Sequence, residues 1–124
     1  MAKSPPSKTR RGVTLDIVRK LALRFPGTYE STSYGTLAFK VGSKLLARLH
    51  QNGSDLVIRI GMDERERLLE HDPDTFHITD HYRNYPAMLI RMDMIEPQRL
   101  EYLLEQAWRS YAPRKLIKAY DEAE

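Results

Sequence analysis

The sequence predicts an α+β domain of two layers, an antiparallel β-sheet (a meander plus further strands) covered on one face by three helices. Three observations carry that expectation. Apolar residues recur near every fourth position over residues 14–25 and again over 97–111, the period of an amphipathic helix. Between residues 37 and 60 the period drops to two, in three short runs separated by turn residues. The resulting three-strand meander has one apolar face that must be covered, and helices are the available cover.

Taken in order, residues 1–12 carry two prolines, small polar residues and Lys3, Lys8, Arg10 and Arg11, and are expected to be a disordered basic arm. A single domain is expected over 13–120, with an acidic tail at 121–124. Thr14 is placed to cap the first helix, Asp16 suits its first turn, and Val18, Leu21, Ala22 and Phe25 form its apolar stripe. Phe25-Pro26-Gly27 ends it. Residues 28–35, TYESTSYG, are compatible with either an added strand or a wrapping loop.

In the meander, Leu37, Phe39 and Val41 share one face, as do Leu45, Ala47 and Leu49, then Leu56, Ile58 and Ile60. VGSK and QNGS form the two turns. Asp63 followed by Glu66 resembles a capping box, predicting a second helix over roughly 64–71 that contributes Leu68 and Leu69. TFHI is a candidate short strand. AMLIRM is a strand apolar on both faces, hence central. Pro97 suits the first turn of the last helix, whose buried stripe is Leu100, Leu103, Leu104, Ala107, Trp108 and Tyr111. Ala112-Pro113 breaks it, and RKLIKAY is expected to form a short amphipathic turn.

The 124 residues suit one domain with a modest core. No run is long or apolar enough to span a bilayer, and no signal peptide is expected, so no membrane partner is predicted. The chain has no cysteine, which removes disulfides, thiolate catalysis and zinc-thiolate sites, and suits a cytoplasmic location. Net charge is +3 but uneven. Residues 1–24 hold seven Lys/Arg against Asp16, and residues 61–80 hold seven acids against Arg65 and Arg67. Residues 108–120 hold Arg109, Arg114, Lys115 and Lys118 with no acid.

The candidate chemistry is thin. His77 and His81 lie four apart, but the chain between them reads as strand and turn, so the helical register a metal pair needs is missing. His71 and Asp80 would have to join them in space. There is no nucleophile elbow, and Gly42 and Gly53 belong to turns, not to a phosphate loop. No catalytic residue, metal or cofactor is predicted. The basic and aromatic residues are the stronger signal. Lys8, Arg10 and Arg11 on the arm, Arg19, Lys20 and Arg24 on the first helix, and Arg114, Lys115 and Lys118 near the end suit phosphate contacts. Tyr82, Arg83 and Tyr85 add stacking or hydrogen bonding. Against this stands the plain alternative that these cations solubilise helix faces and a tail.

Three stretches then carry a resemblance: ALRFPGTYESTSYGTLAFKVGSKLLARL, DPDTFHITDHYRNYPAMLIRM and LLEQAWRSYAPRKL. Together they resemble the MmcQ/YjbR family of small bacterial proteins, from about Val13 to Leu116. The markers are Phe25-Pro26-Gly27, Glu30, Tyr34-Gly35, Phe39-Lys40, Arg48, His81, Tyr82, Pro86 and the run from Ala107-Trp108 to Ala112-Pro113. Ser43 and Leu45 depart from the pattern, within a hairpin. The resemblance implies an α+β fold with a secretion-chaperone-like arrangement, a DNA-binding description without an assigned mechanism, and no catalytic residue. Glu30, Lys40, Arg48, His81 and Tyr82 are the polar markers a core does not explain. The expected function is therefore a small non-enzymatic protein that binds DNA or RNA with little sequence specificity. The alternative is a protein-interaction module or chaperone-like homodimer. The loop His81-Tyr82-Arg83 is expected to face solvent or a cleft without bound metal.

Overall fold

The computed structural model describes residues 12–123. Its elements run α1 (Leu15–Ala22), β1 (Thr28–Ser33), β2 (Thr36–Val41), β3 (Lys44–Leu49), β4 (Asp55–Arg59), α2 (Met62–His71), β5 (Phe76–His77), β6 (Ala87–Arg91), α3 (Pro97–Tyr111) and α4 (Arg114–Ala123). The strands form one antiparallel sheet of order β1-β2-β3-β4-β6-β5, covered by the helices. Residues 28–35 are thus strand and hairpin, and β6 lies between two neighbours as its two apolar faces require.

Thr14 caps α1 through its hydroxyl, which accepts the Ile17 N–H at 3.2 Å. Pro97 opens α3. Helix α2 starts earlier than predicted. Gly61 is its cap and no side chain bonds there, so Asp63 lies inside the first turn and favours the helix dipole instead of capping it. The C-terminal segment, expected as a turn, is a helix of ten residues. Leu116, Ile117 and Tyr120 dock it on the main core, and the Tyr120 ring meets Trp108 at 5.1 Å and Phe25 at 5.9 Å. Gly27 permits this approach: at φ +80 a Cβ there would lie 2.7 Å from Leu116 Cδ1.

The meander corrects one predicted face. Between β2 and β3 the register passes from Phe39↔Ala47 to Lys40↔Leu45, so Leu46 is an extra, bulged residue. The bulge sends Leu46 into the main core beside Ala47 and turns Leu45 to the other face with Lys40. A strict alternation from Leu45 to Leu49 could not show this. The main core joins Phe39, Val41, Leu56, Ile58, Met88 and Ile90 of the sheet to Val18, Leu21, Phe25, Leu100, Leu104 and Trp108. The Trp108 indole N–H donates to the Pro26 carbonyl at 2.8 Å, which fixes the exit of α1.

Candidate functional site

The opposite face of the sheet is half covered. Antiparallel pairing lines up Ala38, Arg48, Val57, Leu89 and His77 across five strands, one step away from the core-facing row. Over part of this row the 79–86 loop folds back, and Tyr82 closes a small second cluster with Val57, Ala87 and Leu89. Beyond the loop the face stays open as a cleft of about 490 Å³. Lys40, Lys44, Arg48 and Arg59 line it with His81, Tyr34, Tyr82 and Tyr85, and among the described residues no carboxylate does.

Arg65 holds the loop that forms one wall. It is 2% exposed, in the middle of the acidic helix α2. Its guanidinium donates to the carbonyls of Tyr82 and Tyr85 at 2.8 Å, Arg83 at 2.9 Å and Ala87 at 3.1 Å, with Glu66 alongside at 3.0 Å. A planar fork of five donors suits such a convergence of carbonyls, which an ammonium would not span. With its carbonyls turned to Arg65, the loop presents His81 and Tyr85 to the cleft.

Arg48 forms the floor and is 5% exposed. Its Nη2 donates to the Tyr82 hydroxyl at 2.8 Å, and its Nη1 reaches the Leu49 carbonyl at 3.2 Å and Thr36 and Gln51 at 3.4 Å. No carboxylate meets it among the described residues. The ring of Tyr34 covers its guanidinium at 5.0 Å. Arg59 donates to the Tyr111 hydroxyl at 2.9 Å and lies over that ring, while its Nε is buried without a hydrogen-bond partner. Buried guanidinium charge that no carboxylate among the described residues compensates favours an anion.

The predicted site residues therefore divide. Lys40, Arg48, His81 and Tyr82 come together in the cleft. Glu30 does not join them: it pairs with Arg19 at 3.0 Å, and that bond and charge hold the Arg19 guanidinium above its ordinary pKa. Arg19 also pairs with Asp16; Arg24 lies just past the end of α1, not on it as expected, and pairs with Glu101 at 2.6 Å, while Lys20 is left exposed. Arg83 is exposed and pairs with Asp80. Arg114, Lys115 and Lys118 are exposed on α4, on the helical side of the sheet. Lys8, Arg10 and Arg11 lie outside the described residues.

The histidines do not form a metal site. His71 Nδ1 bonds the Arg67 carbonyl, and His77 Nε2–H donates to Asp55 at 2.9 Å. Among the described residues no three of His, Cys, Asp and Glu are gathered to hold an ion. His81 makes an edge contact with the Tyr82 ring at 4.7 Å and no side-chain hydrogen bond. Lys44, Arg59 and Arg65 were not anticipated. Arg59 follows Ile58 on a strand of period two, a signal that places it on the open face. Nothing local in the sequence marks Arg65, because its partners are backbone carbonyls 17 to 22 positions away.

The YjbR family model matches residues 23–110, which spans the whole sheet, α2 and nearly all of α3. The chain belongs to the YjbR family. It is 28% identical to the uncharacterized proteins Mb2600 of Mycobacterium bovis and Rv2570 of Mycobacterium tuberculosis, over 86% of this chain and 95% of each of theirs. Its fold is similar to that of Deinococcus radiodurans protein DR2400, with a TM-score of 0.65 at 20% identity, over 77% of this chain and 75% of that one. The match carries the α+β architecture of a multi-stranded antiparallel sheet under several helices. Among the described residues no helix is long and apolar enough to cross a membrane.

Proposed function

We propose that this YjbR-family chain is a non-enzymatic binding protein that holds nucleic acid, with little sequence readout, in the cleft on the open face of its sheet. The observation that carries the reading is the composition of that wall: Lys40, Lys44, Arg48, Arg59 and His81 with three tyrosines and, among the described residues, no carboxylate. Cations meet phosphate whatever the base, so contacts of this kind position a strand without reading it. The cations of α1 and of its exit are a weaker candidate surface, because Arg19 and Arg24 are already paired. The basic arm with Lys8, Arg10 and Arg11 is proposed as a further source of phosphate contacts.

The test is binding of fluorescently labelled mixed-sequence single strands and duplexes at about 50 and 200 mM salt. Four phosphate contacts predict a fall of about two decades in affinity over that interval. No binding to either at low salt would end the reading.

A second reading, a protein-interaction module or homodimer with a secretion-chaperone-like arrangement, draws on the edge strand β1. It has one neighbour, β2, and its outer edge carries backbone groups suited to another strand. Light scattering after gel filtration decides the dimer: a monomer at high concentration removes it.

A further inference from the structure

The cleft is continuous with a second recess of about 300 Å³ that shares Tyr34, Arg48, His81 and Tyr82 and adds His50, Gln51 and Thr79. The two recesses meet at the stack of Tyr34 on Arg48, at the tip of the β1–β2 hairpin. Tyr34 has no role in the core, being 78% exposed. It nevertheless holds φ +53, the left-handed region that a bulky residue adopts at a cost, next to Gly35, which adopts it freely. An exposed aromatic kept in strained backbone, one ring face on a buried guanidinium and the other open, calls for an explanation outside folding.

We propose that the groove selects single-stranded nucleic acid, with Tyr34 as the platform on which an unpaired base stacks and Lys40 and Lys44 as the charges that hold the flanking phosphates. This deepens the nucleic-acid reading of the same cleft and rests on it. Two physical arguments favour a single strand over a duplex. Paired, stacked bases offer no free ring face to Tyr34, whereas every unpaired base does. Lys40 and Lys44 line the cleft beside Tyr34, where a flexible backbone can enter and the rigid outer surface of a duplex cannot. The guanidinium beneath the ring extends the stack as a cation–π pair. Stacking is blind to base identity, so the site needs no sequence preference.

The experiment titrates the full chain into a labelled thymidine dodecamer and into a labelled 12-base-pair duplex at about 50 mM salt. Tyr34→Gly and Tyr34→Phe are measured beside the natural chain. Glycine suits the positive φ, so its variant keeps the hairpin, and phenylalanine keeps the stack. The single strand is expected to bind at least roughly tenfold more tightly than the duplex. Tyr34→Gly is expected to remove roughly tenfold to a hundredfold of that affinity, and Tyr34→Phe to stay within about twofold of the natural chain. Duplex binding as tight as single-strand binding, or an unchanged Tyr34→Gly, would overturn the inference and leave the nucleic-acid reading standing. Failure of both probes to bind would remove both. Complete displacement of the dodecamer by micromolar thymidine monophosphate would assign the pocket to a free nucleotide and overturn the polymer.

Discussion

Replacing Arg65 with methionine tests how the wall of the cleft is held. Methionine fills a similar length of buried space and removes four hydrogen bonds to carbonyls. Those of Arg83 and Tyr85 belong to exposed residues, where water can take over part of the lost bonding. Of the two buried residues, Tyr82 keeps the Tyr85 N–H on its carbonyl at 3.1 Å, whereas the Ala87 carbonyl would be left unsatisfied. A buried orphan costs about 1–3 kcal/mol, and the charge-assisted character of the lost bonds adds to this. The desolvation of a buried guanidinium works the other way. The balance is a loss of about 2–4 kcal/mol, or roughly 8–16 °C in Tm for a domain of this size. Trp108, the sole tryptophan and fully buried, reports unfolding in urea or heat. Arg65→Lys should fall between, because an ammonium keeps the charge but not the fork. A loss below about 1 kcal/mol for the methionine variant, set against the cost of buried orphans, would refute the claim that Arg65 organises the 82–87 segment.

Three further outcomes follow from the same contacts. Tyr82→Phe removes the hydroxyl that accepts from Arg48 and should cost about 1–2 kcal/mol in a urea melt; an unchanged midpoint would mean that this hydrogen bond does not stabilise the fold. His81→Ala should shift stability by less than about 0.5 kcal/mol, since the ring makes no hydrogen bond, yet lower oligonucleotide affinity; a large loss of stability would return His81 to the scaffold. Burial raises the Asp72 pKa, but hydrogen bonds from Thr75 and Arg99 together with the Arg99 charge outweigh it and leave the carboxyl below its ordinary value. Its contribution is therefore present above the unfolded carboxylate range, about pH 4, and lost as pH falls through the lower folded value. Asp72→Asn should flatten the acid side of the stability profile, and an identical acid slope would contradict that.

How far residues announce their place depends on what they pair with. The amphipathic stripes of α1 and α3, the Thr14 cap and the Pro97 start are local signals, and all four are found where local chemistry puts them. The face of Leu45 was misread because one bulged residue, Leu46, changes the parity of a strand, and a bulge depends on pairing across the sheet. Helix α4 was underestimated because its order comes from Phe25 and Trp108, distant in sequence, and from the Arg109–Asp121 ion pair at 2.7 Å. In the site, the open-face position of Lys40 and Arg48 follows from period two. The release of Glu30 from the cleft does not, since its partner Arg19 comes from another element. Arg65 was legible as a charge but not as a buried one.

The central claim is that the open-face cleft, and not the helical side, is where nucleic acid binds. Two charge-reversal pairs separate these surfaces: Lys40→Glu with Lys44→Glu in the cleft, and Lys115→Glu with Lys118→Glu on α4. Among the described residues no acid pairs with any of the four. The measurement is the salt dependence of single-strand affinity for each pair against the natural chain. The account predicts at least about a tenfold loss for the cleft pair, with the slope shallower by about 1.4 for two lost phosphate contacts. The α4 pair should leave affinity within about twofold. A loss confined to the α4 pair, with the cleft pair binding as the natural chain does, would contradict it.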